Sequence, residues 1–184
     1  FRYERPQKGR MRQFHQIGCE YIGSFNPLSD AEVIGCAAQF LSELGVLDSC
    51  ILHLNSLGDG QSRDAYRAAL VAFLSDYKNE LSSDSQRRLN ENPLRILDSK
   101  ADEDREILKN APQLPAFLTS QAQQHFEHVT NALDKAGINW QLDTNLVRGL
   151  DYYSHTAFEF ITEELGSQGT VLGGGRYDGL STML

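Results

Sequence analysis

An α+β fold is predicted by three observations. Short apolar runs suited to strands stand near both ends of the 184-residue chain, at 17–22, 50–55, 138–143, 156–161 and 169–172. The stretch between the second and third of these carries helical periodicity instead of alternation. Its helices are punctuated by Pro93, Pro112, Pro115 and Gly137. Strands drawn from both ends, with helical material looped out between them, make a discontinuous sheet domain interrupted by an insertion. The expected organisation is a first core part at 1–60, a helical insertion at 61–140 and a second core part at 141–184.

The elements follow in order. Pro6 and Gly9 break the opening segment, which predicts strand, turn, strand with cations around the tip. Ile17–Ile22 continues a strand and gives way to a loop at Gly23–Pro27. Ser29-Asp-Ala-Glu32 has capping-box spacing, and the helix after it sets Val33, Ala37, Phe40, Leu41 and Leu44 on one face up to Gly45. Cys50–Asn55 is a strand closing at Gly58-Asp-Gly60, with His53 expected as a packed or edge residue. Ser62–Leu81 is an amphipathic helix with Tyr66, Leu70, Phe73, Leu74 and Tyr77 at helical spacing. A charged helix ends at Asn92-Pro93, and a short acidic one runs from Asp102 to Lys109. Thr119 or Ser120 caps a helix bearing Phe126, Val129 and Leu133, which Gly137 stops. Strands return from Ile138, and Gly173-Gly-Gly175 would let backbone approach a ligand, though taken alone the run reads as a glycine-rich loop with no ligand.

Composition narrows the function classes. A 40% apolar share with 23% charged residues describes an ordinary soluble protein, and no apolar run reaches the ~20 residues of a membrane span. Cys19, Cys36 and Cys50 are odd in number and lack metal-ligand pairing, which points to reduced thiols in a cytoplasmic protein. His125 and His128 stand three apart without a nearby third ligand, so no zinc site is expected.

Charge is unevenly placed. Residues 1–16 hold five cations (Arg2, Arg5, Lys8, Arg10, Arg12) and one anion, Glu4, in a chain of net charge −8. Guanidinium forks match phosphate and carboxylate oxygens. Glu4, Phe14, Gln16 and Glu20 share one alternation with them and suggest an aromatic-walled polar pocket.

The run Phe1-Arg-Tyr-Glu-Arg-Pro-Gln-Lys-Gly-Arg-Met-Arg-Gln-Phe-His-Gln16 resembles motif 2 of the class II aminoacyl-tRNA synthetases in its histidyl form. Val147-Arg-Gly-Leu-Asp-Tyr-Tyr153 and Gly173-Gly-Gly-Arg-Tyr-Asp-Gly-Leu180 resemble the histidine-recognising motifs of the same family. Three long motifs in the family's order and spacing are specific where a single glycine cluster would be weak. The resemblance implies a class II synthetase-like antiparallel sheet with flanking helices, interrupted by a helical insertion.

It also implies an activity: histidine is activated with ATP to histidyl-adenylate, then transferred to the 3′ end of tRNA(His). Arg2 and Arg148 are the catalytic cations at the α-phosphate, with Arg148 also near the substrate carboxylate. Arg2, Glu4, Arg10 and Phe14 bind ATP: Glu4 reads adenine, Phe14 stacks on it and Arg10 meets the γ-phosphate. Gln16 holds the α-amino group, and Glu20 accepts the imidazole N–H. Tyr152, Tyr153 and Tyr177 are the candidate donors to the other ring nitrogen, with Tyr152 the weakest by strand alternation. Magnesium accompanies the nucleotide, and Lys8, Arg10 and Arg12 are available to the tRNA acceptor end. A homodimer is implied for the parent protein.

Motif 1 and a threonine–glutamate loop would lie before Phe1, and motif 3 and an anticodon-binding domain after Leu184. The chain is therefore expected to be a fragment of the catalytic region with little activity alone. Two rivals share the fold: the non-charging regulatory subunit of ATP phosphoribosyltransferase and a histidine-sensing regulatory domain. The intact motif 2 cations and the Arg148–Tyr153 run favour the enzyme.

Overall fold

The structure, a computed structural model, describes the chain apart from residues 4, 5, 7, 9, 98, 148–151, 183 and 184, and the side chains of 166–168, 181 and 182. Its centre is a four-stranded sheet of β1 (Ile51–Ser56), β2 (Trp140–Leu142), β3 (Ser154–Ile161) and β4 (Thr170–Arg176), in the order β2-β1-β3-β4. β1 pairs with β3 antiparallel, Leu52 opposite Phe160 and Leu54 opposite Phe158. β3 pairs with β4 antiparallel, Phe158 opposite Gly174 and Ser154 opposite Arg176. β2 joins β1 parallel, Leu52 opposite Trp140. A parallel pair needs a crossover of a dozen residues or more, and the long helical stretch between β1 and β2 provides it.

Helix α1 (Pro27–Glu43) starts earlier than the Ser29 capping box suggests. Its N-cap is Asn26, whose Oδ1 accepts from Leu28 N at 2.9 Å, with Pro27 pre-set for the first turn. Ser29 is instead buried and bonded to Ser24 Oγ at 2.7 Å. The buried face is Ile34, Ala37, Ala38 and Leu41, while Phe40 and Leu44 are exposed. The expected stripe is thus turned toward Ile34.

The helical stretch expected over 61–140 packs in two directions. α2 (Gly60–Asp76), α3 (Ser83–Glu91) and α4 (Asp102–Leu108) form one body around Tyr66, Leu70, Leu74, Leu89, Ile96 and Ile107. α5 (Ser120–Lys135) turns to the sheet: Val129 and Leu133 share a core with Ile34 and Leu41 of α1 and with Leu52, Leu54, Phe158 and Phe160. Side chains alternate along a strand, so these even-numbered residues mark the face of the sheet that α1 and α5 cover.

The helical excursion leaves and returns at one junction. Asp59 caps α2 through Ser62 N at 2.8 Å and accepts from Thr119 Oγ1 at 2.5 Å. Thr119 caps α5 through Ala122 N at 3.1 Å, and its own N–H donates to Ser62 Oγ at 2.9 Å. Two helix starts therefore satisfy each other's free groups.

The opening segment departs from expectation. Among the described residues of 1–26 there is no strand; the limbs meet where Arg2 N donates to Arg12 O at 2.9 Å and at an isolated bridge at Arg10. Neither limb joins the four-stranded sheet, so Ile17 and Ile22 stand exposed rather than paired. Gly173-Gly-Gly175 is also not a loop: it lies within β4.

Candidate active site

Three tyrosines gather where β3 begins and β4 ends. The Tyr152 and Tyr153 ring centroids are 4.8 Å apart, and Tyr177 stands edge-on to both at 6.3 Å. Strand β3 starts only at Ser154, so alternation does not separate Tyr152 from Tyr153. Glu20 comes close enough to the group to act on the Tyr177 hydroxyl. Burial, and then the neighbouring Glu20 carboxylate, push that hydroxyl up, so it stays protonated at neutral pH.

The triple glycine serves this cluster directly. A Cβ on Gly174 would lie 2.6 Å from the Phe158 ring, and one on Gly175 would lie 2.9 Å from Thr156 O and 3.1 Å from Tyr153. The close approach expected for a ligand is thus made by the protein's own rings. Phe158 fills one face of the sheet through Gly174, and Tyr153 lies on the other face through Gly175.

The cationic end is assembled separately. The Arg2 guanidinium sits over the Phe14 ring, 5.1 Å from its centroid, and Arg12 sits over Tyr3 at 5.2 Å. Arg2 is exposed, Arg10 half-buried and Gln16 exposed. Glu4 and Arg148 lie outside the described residues, as does Asp151.

Beneath the tyrosines lies a buried ionic group. Arg176 Nη1 donates to Asp30 Oδ1 at 2.5 Å, Nε to Asp178 Oδ2 at 2.8 Å and Nη2 to Ser24 O. Asp30 Oδ2 also accepts from Thr156 Oγ1 at 2.5 Å and pairs with His125 Nε2 at 2.8 Å. Burial would raise the Asp30 carboxyl, but the bonds from His125 and Thr156 and the Arg176 charge outweigh it and hold it below the usual range. His125 stacks on His155 at 4.4 Å, and His155 takes a left-handed φ of 48° where β3 breaks register with β4. Burial, then the neighbouring His125, push the His155 imidazole down.

Sequence reasoning singled out none of Asp30, Thr156 and Arg176. The available signal was Arg176 itself: a cation at the end of a strand that packs on helices needs a buried carboxylate partner.

A sequence model of histidyl-tRNA synthetase matches residues 1–184. The chain belongs to the histidyl-tRNA synthetase family. The histidine–tRNA ligase of Rhodospirillum rubrum is 58% identical over 180 residues, covering 98% of this chain and 43% of that protein. That of Streptococcus pneumoniae is also 58% identical, over 98% of this chain and 42% of its own length. The chain thus spans less than half the length of these curated relatives. Among solved structures, the apo histidyl-tRNA synthetase of S. aureus superposes with a TM-score of 0.69 at 38% identity, covering 88% of this chain and 39% of that one. The mixed sheet with its flanking helices is accordingly a synthetase-family α+β fold.

Among the described residues, no group of three or more His, Cys, Asp or Glu has metal-binding placement, and no helix is long and apolar enough to cross a membrane. Of the residues expected at a site, those described fall into a tyrosine–glutamate cluster and an Arg2–Phe14 pair, and a separate buried ion network joins Arg176 to Asp30.

Proposed function

We propose that this chain forms part of the catalytic region of a histidine–tRNA ligase that activates histidine with ATP and charges tRNA(His). The observation that carries the reading is the convergence of Glu20 with Tyr152, Tyr153 and Tyr177, four of the residues expected around an imidazole. A neutral imidazole presents one N–H donor and one acceptor nitrogen. Glu20 accepts the first; a tyrosine hydroxyl serves the second. Glu20 and Tyr177 are neighbours, so one imidazole can meet both. An amino acid lacking this pattern leaves the polar groups of the site unpaired and is bound less well.

Arg2 and Arg148 supply the fixed positive charge that activation needs. Histidine's carboxylate attacks the α-phosphorus, pyrophosphate leaves, and negative charge spreads over the phosphoryl oxygens. Phe14 stacks on adenine, Glu4 reads it, Arg10 meets the γ-phosphate and Gln16 holds the α-amino group. The 5.1 Å approach of Arg2 to Phe14 is consistent with one nucleotide touching both. Magnesium would accompany the nucleotide, held largely by its phosphates and by water. Residues 1–60 and 141–184, with α5 packed against them, are the catalytic core; the body around α2–α4 is the insertion. The parent protein works as a cytoplasmic homodimer, and Lys8, Arg10 and Arg12 face the tRNA acceptor end.

Histidine-dependent exchange of pyrophosphate into ATP by the full-length protein tests the reading. Arg2→Ala should slow it about 10²–10³-fold, the cost of one preorganised donor. Histidine binding without adenylate formation would instead identify a regulatory protein.

A further inference from the structure

Arg176 joins helix α1, the turn after β4 and the opening segment through one guanidinium. It ends β4, and its side chain faces the helix-covered side of the sheet with Gly174 and Leu172, two and four residues back. The next residue, Tyr177, emerges on the opposite side and meets Tyr153 and Glu20. The guanidinium also binds Ser24 O, four residues after Glu20 on the opening segment.

Ser24 is also held from α1, its Oγ lying 2.7 Å from Ser29 Oγ. Glu20, Tyr21 and Ile22 are exposed, whereas the Arg176 side chain is only 7% exposed and that of Asp30 8%. The fork is filled on every edge: Nη1 to Asp30, Nε to Asp178 and Nη2 to Ser24 O. Asp178 is held in turn by Ser154 Oγ at 3.0 Å, at the start of β3 beside Tyr153.

We propose that Arg176 is a positioning residue for imidazole recognition, setting the separation between Glu20 and the Tyr177 hydroxyl without touching the amino acid. This rests on the histidine-binding reading above. Planarity explains the choice of arginine: three acceptors in one plane lock its rotation, and a lysine ammonium cannot reach all three from a single point. Histidine specificity is then built partly from a cation on the covered face of the sheet. ATP binding, centred on Arg2 and Phe14, does not depend on it.

The test uses the full-length protein and compares Arg176→Lys and Arg176→Gln with wild type for histidine and ATP in pyrophosphate exchange. The expected result is a 10–100-fold rise in histidine KM with ATP KM within about twofold, since small misplacements of a polar pocket are costly. Arg176→Lys should be the milder variant. Its loss should also shrink in an Arg176→Lys/Glu20→Gln double variant, because both changes act on one pair of groups.

Unchanged histidine KM in a folded Arg176 variant overturns the proposal. So do equal losses for histidine and ATP, which mark a general structural role. If both Arg176 variants fail to fold, Asp178→Asn decides, since that side chain is 32% exposed. A several-fold rise confined to histidine KM supports the proposal, and no change overturns it. Failure of the wild-type protein to bind histidine overturns the ligase reading as well, a result distinct from wild-type binding with an indifferent variant.

Discussion

Asp104 is fully buried, and its carboxylate accepts four hydrogen bonds: Ser82 N at 2.8 Å, Ser82 Oγ at 2.7 Å, Ser85 Oγ at 2.6 Å and Ser99 Oγ at 2.5 Å. Burial would raise its carboxyl, but the serine donors outweigh that and lower it. The folded state therefore binds fewer protons than the unfolded chain just below the ordinary carboxylate value. Its contribution is complete above that value and fades as pH falls through the lowered one. Asp30 and Asp59 shift in the same direction. Stability should hold near neutrality and fall below about pH 4, read as the urea midpoint against pH. Asp104→Asn should cost about 3 kcal/mol at neutral pH and flatten that acid slope. None of this was legible in the sequence, where Asp104 is one acid in an acidic helix; its partners come from the first turn of α3 and from Ser99.

At the scale of elements, local chemistry predicts most of what forms. The Thr119 cap of α5 appears where it was expected, and a left-handed Gly137 follows the end of that helix. The start of α1 was misplaced because two capping signals compete within four residues. Asn26 wins: Pro27 stands at the first helical position, and Ser29 turns inward to Ser24. The triple glycine was read as a loop because glycine is rare inside strands. It is tolerated in β4 because Phe158 and Tyr153 occupy the space that side chains at Gly174 and Gly175 would need. Gly174→Ala should therefore destabilise by about 1–3 kcal/mol, and trimming the ring with Phe158→Leu in the same chain should recover part of the loss in thermal unfolding.

Across the whole molecule, two cores meet at the Asp59–Ser62–Thr119 junction. α5 is continuous in sequence with the helical body yet packs on the sheet. Leu133→Ala should cost about 2–5 kcal/mol, and native-state hydrogen exchange should show the amides of β1 and β3 opening, not those of α2–α4. If the helical body opens instead, the packing described here is wrong. The same scale governs the site. Glu20 and Tyr177 are far apart in the chain, and the Asp30–Arg176 pair bridges 146 positions.

Read alone, the amino-acid sequence determined the existence and kind of most elements, the family motifs and the residues worth testing around an imidazole. The elements rest on periodicity, capping and turn chemistry, which act over a few residues; the motifs and the residues around an imidazole rest on the resemblance to the family. Only the tertiary structure decided that β2 runs parallel to β1, that α5 belongs with the sheet, and that Arg176 stands between the Glu20 segment and Tyr177. The reason is physical. Which strand pairs with which, and which carboxylate meets a buried cation, depends on how the chain closes on itself, and distant residues carry no mark of that closure until it occurs.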